Sequence, residues 1–259
     1  MVIYVFDGTF SGLLTAVFES FGRKHRQVKL VCDEHFEQDM FSETGRVTVD
    51  KAKSERVWEG LKTKGGKEAR KQFYSAFLSE SAEIFQHLFD YALYVFNQPA
   101  GYANNFGNSH VLAVSQMHQK VHREKHRMEA FIRFQKSGNG LFFAVVSPDY
   151  NVLPLILKHF RDRYADQVWV IYDERRKYGI HYDLHHVHEV TFDFKPEASP
   201  EQSQITIAMD EKEELYTTLW KDYFKSTNIK ERKNMKLHIQ HVPKRYWRYL
   251  VEKEDDLRV

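Results

Sequence analysis

Apolar positions in this chain recur with two periods, and the switches between them mark its elements. Val2–Phe6 is a continuous apolar run closed by an Asp7-Gly8 turn, which predicts a buried strand. Leu13, Leu14, Val17, Phe18 and Phe21 follow at helical spacing behind Ser11, the expected N-cap. Gly22 is expected to close that helix ahead of Arg23, Lys24 and Arg26. Val28–Cys32 predicts a second strand, so the chain opens β-α-β. A short strand is then expected at 46–49, a helix at 54–61, a loop at 62–67 around Gly65-Gly66, and a long helix over 73–96. Residues 98–108, with Pro99, Gly101 and Gly107, predict a loop.

Val114, Met117, Val121 and Met128 give residues 110–128 one apolar helical stripe. The rest of that helix is cationic. At Glu129 the period changes, and Ala130, Ile132 and Phe134 alternate with Phe131 and Arg133, which predicts a strand. Ser137-Gly138-Asn139-Gly140 reads as a hairpin turn with a return strand at 141–146. A helix is expected at 152–164, with Pro154 in its first turn, then strands at 168–172, 180–184 and 187–194, with Tyr178-Gly179 in a turn. The order ββαβββ implies an α+β fold, a mostly antiparallel sheet with helices packed on it. Residues 195–203 read as a linker, 205–209 as a strand, and 211–224 and 229–242 as helices. The expected organisation is an α+β core over 1–196 with a central helical insertion. A linker and a basic helical C-terminal segment over 197–259 would pack on it.

Composition narrows the class. With 42% hydrophobic residues in 259, the chain carries enough apolar surface for a packed core, which excludes disorder. One cysteine, Cys32, excludes an internal disulfide framework and a cysteine-ligated iron–sulfur or zinc centre. It fits a reducing cytoplasm. The N-terminus lacks the pattern of a signal peptide, and no apolar run approaches ~20 residues, so no membrane span is expected.

Charge is informative in its distribution. Between Lys225 and Arg248 eight cationic residues stand against Glu231 alone, beside Tyr246 and Trp247. That composition suits phosphate contact with base stacking, and equally a solvated helix face over core aromatics. Arg127, Arg133, Arg232, Lys233, Lys244 and Arg245 are the candidate phosphate contacts, Tyr246 or Trp247 the candidate stacking ring, and Trp247 more readily a core anchor. His118, His122 and His126 share one helix face. His181, His185, His186 and His188 crowd a strand pair, and His181, His186 and His188 are the set that would ligate a metal. No glutamate completes an HExxH pattern, and the helical histidines lie among cations. The reading therefore favours surface or phosphate-contacting histidines, with no metal and no cofactor. Asp7, Asp173 and Asp183, each at or in a strand, are the candidate catalytic acids with His126, but spacing does not show that they converge. No nucleophile-elbow, phosphate-loop or dinucleotide motif occurs, and a turn with a cap is the preferred reading of Gly8–Ser11 over an anion site.

Three motifs carry a resemblance: Asp7-Gly8 with Phe10, His126-Arg127-Met128 with Phe131-Arg133-Phe134, and Pro243-Lys244-Arg245-Tyr246-Trp247. In this order they resemble a bacterial family described as a probable DNA metabolism protein, a domain of unknown function. The resemblance implies genomic company with a radical-SAM protein of DNA modification or repair, or fusion to a uracil-DNA-glycosylase-like domain. The expectation is the stand-alone form with a separate radical-SAM partner, cytoplasmic and not membrane-bound. It implies no catalytic residues. The leading expectation is a DNA-metabolism accessory protein that binds DNA, the radical-SAM partner, or both. The alternatives are an enzyme acting on a damaged base or nucleotide, and a purely structural partner module. Oligomeric state is not readable.

Overall fold

The computed structural model describes residues 2–25, 27–37, 43–99, 101–138, 140–191 and 239–253. The chain forms two compact units, Met1–Arg123 and Glu124–Val259. The fold is α+β, with one sheet in each unit among the described residues. The expected boundary at 196/197, the linker at 195–203, the strand at 205–209, the helix at 211–224, the helix expected at 229–242 up to residue 238, and Arg232 and Lys233 lie outside the described residues.

In the first unit, β1 (Val2–Phe6), α1 (Phe10–Arg23) and β2 (Val28–Cys32) form the expected β-α-β opening. The helix carries the chain back, so β2 lies parallel to β1. β3 (Glu43–Arg46), expected at 46–49, also pairs parallel to β1, giving the order β2-β1-β3. This sheet departs from the antiparallel expectation. The central strand β1 is the apolar one, with Ile3 to Phe6 buried.

The N-cap of α1 is Thr9, not Ser11. Gly8 has a φ of 77°, which reverses the chain directly after the strand. The Thr9 hydroxyl accepts the Gly12 N–H at 2.9 Å, and Asp7 Oδ1 accepts both the Thr9 N–H and its hydroxyl. Gly12 makes this possible, because a Cβ there would stand 2.1 Å from Asp7 Oδ1. The Asp7 carboxylate thus occupies the helix N-terminus itself, in keeping with a turn and a cap.

Helices α2 (Lys51–Phe77) and α3 (Ala82–Asn97) cover the sheet with α1. The expected loop at 62–67 narrows to a break at Gly66, whose non-helical φ of 85° and ψ of 175° kink α2 into two helical halves. The break falls instead at 78–81, inside the stretch expected as one helix. Phe73, Leu88, Phe89, Tyr91 and Ala92 fill the core between these helices. Burial pushes the Tyr91 hydroxyl pKa up to about 12.

Asn108 caps α4 (Ser109–Phe131), its Oδ1 accepting the N–H groups of His110 and Val111. The strand expected from Glu129 does not form there. Met128 and Ile132 continue the buried stripe at helical spacing, and the Lys125–Glu129 pair at 2.6 Å supports another turn of helix. In the second unit β4 (Gln135–Lys136) and β5 (Phe142–Val146) make the expected hairpin. Then α5 (Leu153–Arg163) crosses over to β6 (Trp169–Asp173), which runs parallel to β5. β7 (Tyr178–Tyr182) and β8 (Val187–Val190) add antiparallel neighbours in chain order. The Tyr178-Gly179 pair opens β7 rather than forming the turn. No helix among the described residues is long and apolar enough to cross a membrane.

Candidate functional site

The kink in α2 builds a basic, aromatic groove in the first unit. Ser54, Val57, Leu61, Ala69, Phe73 and Ala76 face the core from both halves of the helix. Trp58 and Tyr74 sit beside that stripe, half-buried. The Phe10 ring holds both from beneath, edge-on at 5.0 Å to Trp58 and 5.2 Å to Tyr74. Lys62, Lys67, Arg70 and Lys71 complete the lining of a groove of ≈ 320 Å³. From Lys67 to Tyr74 the spacing is i, i+3, i+4, i+7, one helical face. That signal was present in the sequence, but reading 62–67 as a loop hides it.

The groove is net positive, four cations against Glu59 and Glu68. Glu59 pairs with Arg70 at 2.8 Å and with Lys62 at 3.1 Å, and Glu68 lies 3.9 Å from Lys71. The bond from Lys62, followed by the charges of Lys62 and Arg70, holds the Glu59 carboxyl below its usual range. The Arg70 guanidinium lies 4.4 Å over the Trp58 ring. His118 of α4 is half-buried nearby, 5.7 Å ring to ring from His122. Burial first, then the charges of His122 and Lys71, lower its pKa, so it is neutral at pH 7. Lys120 and Arg123 are exposed on the same helix. Such a surface can grip phosphates and present ring faces to bases.

The expected phosphate contacts of the second unit are engaged elsewhere. Glu124 is buried, with its side chain 1% exposed, and gathers four partners. It accepts the Tyr246 hydroxyl and the Asp149 N–H, and pairs with Arg245 at 3.2 Å and Arg127 at 3.5 Å. Arg245 also reaches Asp149 at 2.7 Å and lies 4.5 Å over the Tyr246 ring. Tyr246 is itself buried, so it is closed to a stacked base. Burial, then Glu124, raise its hydroxyl pKa above the ordinary range. Arg133 donates to the carbonyls of Ala130 and Ile132 and pairs at 3.0 Å with the buried Glu252. Trp247 is a core ring, its indole N–H on the Val242 carbonyl at 3.0 Å. Lys244 stays exposed, 5.7 Å from that ring.

The candidate acids do not come together. Asp7 braces Thr9, the cap of α1. Asp173 is fully buried at the end of β6, accepting the N–H groups of Arg175 and Arg176 and pairing with the Arg176 guanidinium at 2.8 Å. Asp183 follows the far end of β7. Since Asp173 pairs with Tyr178 and Trp169 with Tyr182, the two aspartates lie about five strand residues apart, on the order of 16 Å. His126 is exposed, 3.9 Å from Glu129. Of the four histidines near β8, His186 and His188 gather with Asp183, one ligand atom from each within 4.8 Å of the others. His181 lies across from His188 in register, 6.5 Å ring to ring, outside that group. Cys32, Glu34 and His35 form a second such group on one short turn.

A family model described as a domain of unknown function (DUF4130) matches residues 82–252. No curated protein and no solved structure matches. The match takes in the Glu124 cluster and the Asp183 group, while the α2 groove precedes it.

Proposed function

The chain belongs to this family of domains of unknown function, and from the α2 groove we propose that it is a DNA-binding accessory protein of DNA metabolism. The observation that carries the reading is the union of two half-buried rings, Trp58 and Tyr74, with four cations in one groove. Cations alone mark many solvated helix faces. Cations interleaved with partly exposed aromatic rings suit a nucleic acid, and a single strand above a duplex, because a duplex hides its base faces. Lys62, Lys67, Arg70 and Lys71 take the phosphates in this reading. Lys120 and Arg123 are exposed cations on α4 of the same unit, and Lys244 is an exposed cation of the second unit.

Arg127, Arg133 and Arg245 are poorer phosphate ligands than their charge suggests. Each would have to leave a buried carboxylate to bind. The accessory role, with a radical-SAM DNA-modification or repair protein as partner, draws on the resemblance of the motifs. An enzymatic reading needs acids in one pocket, and the register of β6 and β7 keeps Asp173 from Asp183.

The test is a salt titration of binding to a short single strand and to a duplex. The variant replaces Lys62, Lys67 and Lys71 with alanine, all three exposed and outside the core. Each lost phosphate contact flattens the slope of log K against log salt by ~0.7 for a single strand, so the variant slope falls by about 2. An unchanged slope, or no binding of the native chain at low salt, overturns the reading and leaves a protein-partner module.

A further inference from the structure

We propose that Asp183, His186 and His188 form a binding site for one divalent transition-metal ion of the zinc class, with a coordination position left open to solvent. The site is built by the turn between β7 and β8. Their register pairs Tyr182 with Val187, so 183–186 must reverse the chain in four residues. The Asp183 N–H donates to the His186 carbonyl at 3.1 Å, and Leu184 takes a φ of 81°. The Asp183 side chain then folds over the turn. Its Oδ1 accepts the N–H groups of His185 at 2.9 Å and His186 at 2.6 Å. Its other oxygen, Oδ2, is hydrogen-bonded to His188 Nε2 at 3.0 Å, a contact that a shared ion would replace.

That spacing suits a metal. Two donors each ~2.0 Å from a tetrahedral zinc lie about 3.3 Å apart. Asp183 and His188 stand close to that separation already. His186 is exposed and within 4.8 Å of both, so rotation of its ring completes the set. The backbone bonds on Oδ1 play the outer role that ligating carboxylates need, fixing the ligand's orientation. Two imidazoles and one carboxylate favour zinc, nickel or copper over calcium or magnesium, which prefer all-oxygen shells. The histidines of α4 lie among cations, which disfavour a metal there. Here Asp183 supplies the negative charge, and Asp-x-x-His-x-His is the local pattern that encodes the group.

The experiment measures zinc binding to the full chain by competition with a chromophoric chelator, and cobalt binding by its visible absorption. It compares the native chain with H186A/H188A and with C32S, the last to separate the Cys32, Glu34 and His35 group. Both substituted histidines are exposed, and an unchanged circular-dichroism spectrum certifies the fold. One zinc equivalent is expected to vanish in H186A/H188A and to persist in C32S. Cobalt is expected to show ligand-field bands without thiolate charge transfer. No competition by the native chain, retention of the equivalent in H186A/H188A, or its loss in C32S overturns the proposal. No nucleic acid enters the assay, so the result is independent of the groove.

Discussion

Asp173→Ala is expected to destabilise the second unit by about 4 kcal/mol, within the ~3–5 kcal/mol typical of a broken buried ion pair. The size follows from burial on both sides. Asp173 is fully buried, and the Arg176 side chain is only 9% exposed, so the orphaned guanidinium cannot turn to water. It keeps the carbonyls of Pro148 and Asp149 but loses its counter-charge, and two backbone N–H groups lose their acceptor. Asp173→Asn retains an oxygen for those N–H groups and is expected to cost about half as much. Urea unfolding followed by fluorescence reports the change, since Trp169 begins the same strand and is fully buried. Equal stability of Asp173→Ala and the native chain would contradict this structural role, and would return Asp173 to the catalytic candidates.

Glu124→Ala is the second large effect, expected at about 3 kcal/mol, the low end of the same range. Glu124 is as deeply buried as Asp173, but Arg127 and Arg245 are 30% and 43% exposed, so their charges can recover water. What remains is the stranded Tyr246 hydroxyl, buried in the core, and the unpaired Asp149 N–H. Tyr246→Phe removes only the hydroxyl and is expected to cost less than Glu124→Ala. The same unfolding measurement reads both. If the phenylalanine variant proved the more damaging, the carboxylate would not be the hub of the cluster.

The Glu124 cluster explains what two of the three sequence motifs do in this chain. His126-Arg127-Met128 places Arg127 beside Glu124 and Met128 in the core. Pro243 to Trp247 brings Arg245 and Tyr246 to the same carboxylate from 121 and 122 residues away. Asp7 and Gly8 start α1, and Phe10 carries the two rings of the groove. Residues that read as a phosphate-binding set in the sequence are, in good part, internal fastenings.

Local order was legible where one period dominated. β1, β2, the hairpin after β4 and the body of α5 follow directly from apolar spacing and turn residues. Where two periods were compatible with the same residues, the sequence was ambiguous. Ala130, Ile132 and Phe134 alternate like a strand, yet Met128 and Ile132 also fit one helical face, and packing selects the helix. Gly65-Gly66 reads as a loop because two glycines weaken a helix, but buried Leu61 and Ala69 anchor both sides and only Gly66 yields. The parallel sheet was hidden because strand direction depends on what crosses between strands, not on the strands themselves. The partners of Glu124 were hidden by sequence separation. The Asp183 group was the opposite case, entirely local, and was missed because Asp183 reads as a candidate acid and His181 stands in its place in the metal set.

The most direct test of the account is photocross-linking of a short bromouracil-substituted single strand to the chain at low salt, with the adducts mapped by peptide. The α2 groove predicts adducts at Trp58 or Tyr74, lost at high salt and in the variant lacking Lys62, Lys67 and Lys71. Adducts confined to other segments, or none at low salt, would contradict a nucleic-acid site in this groove.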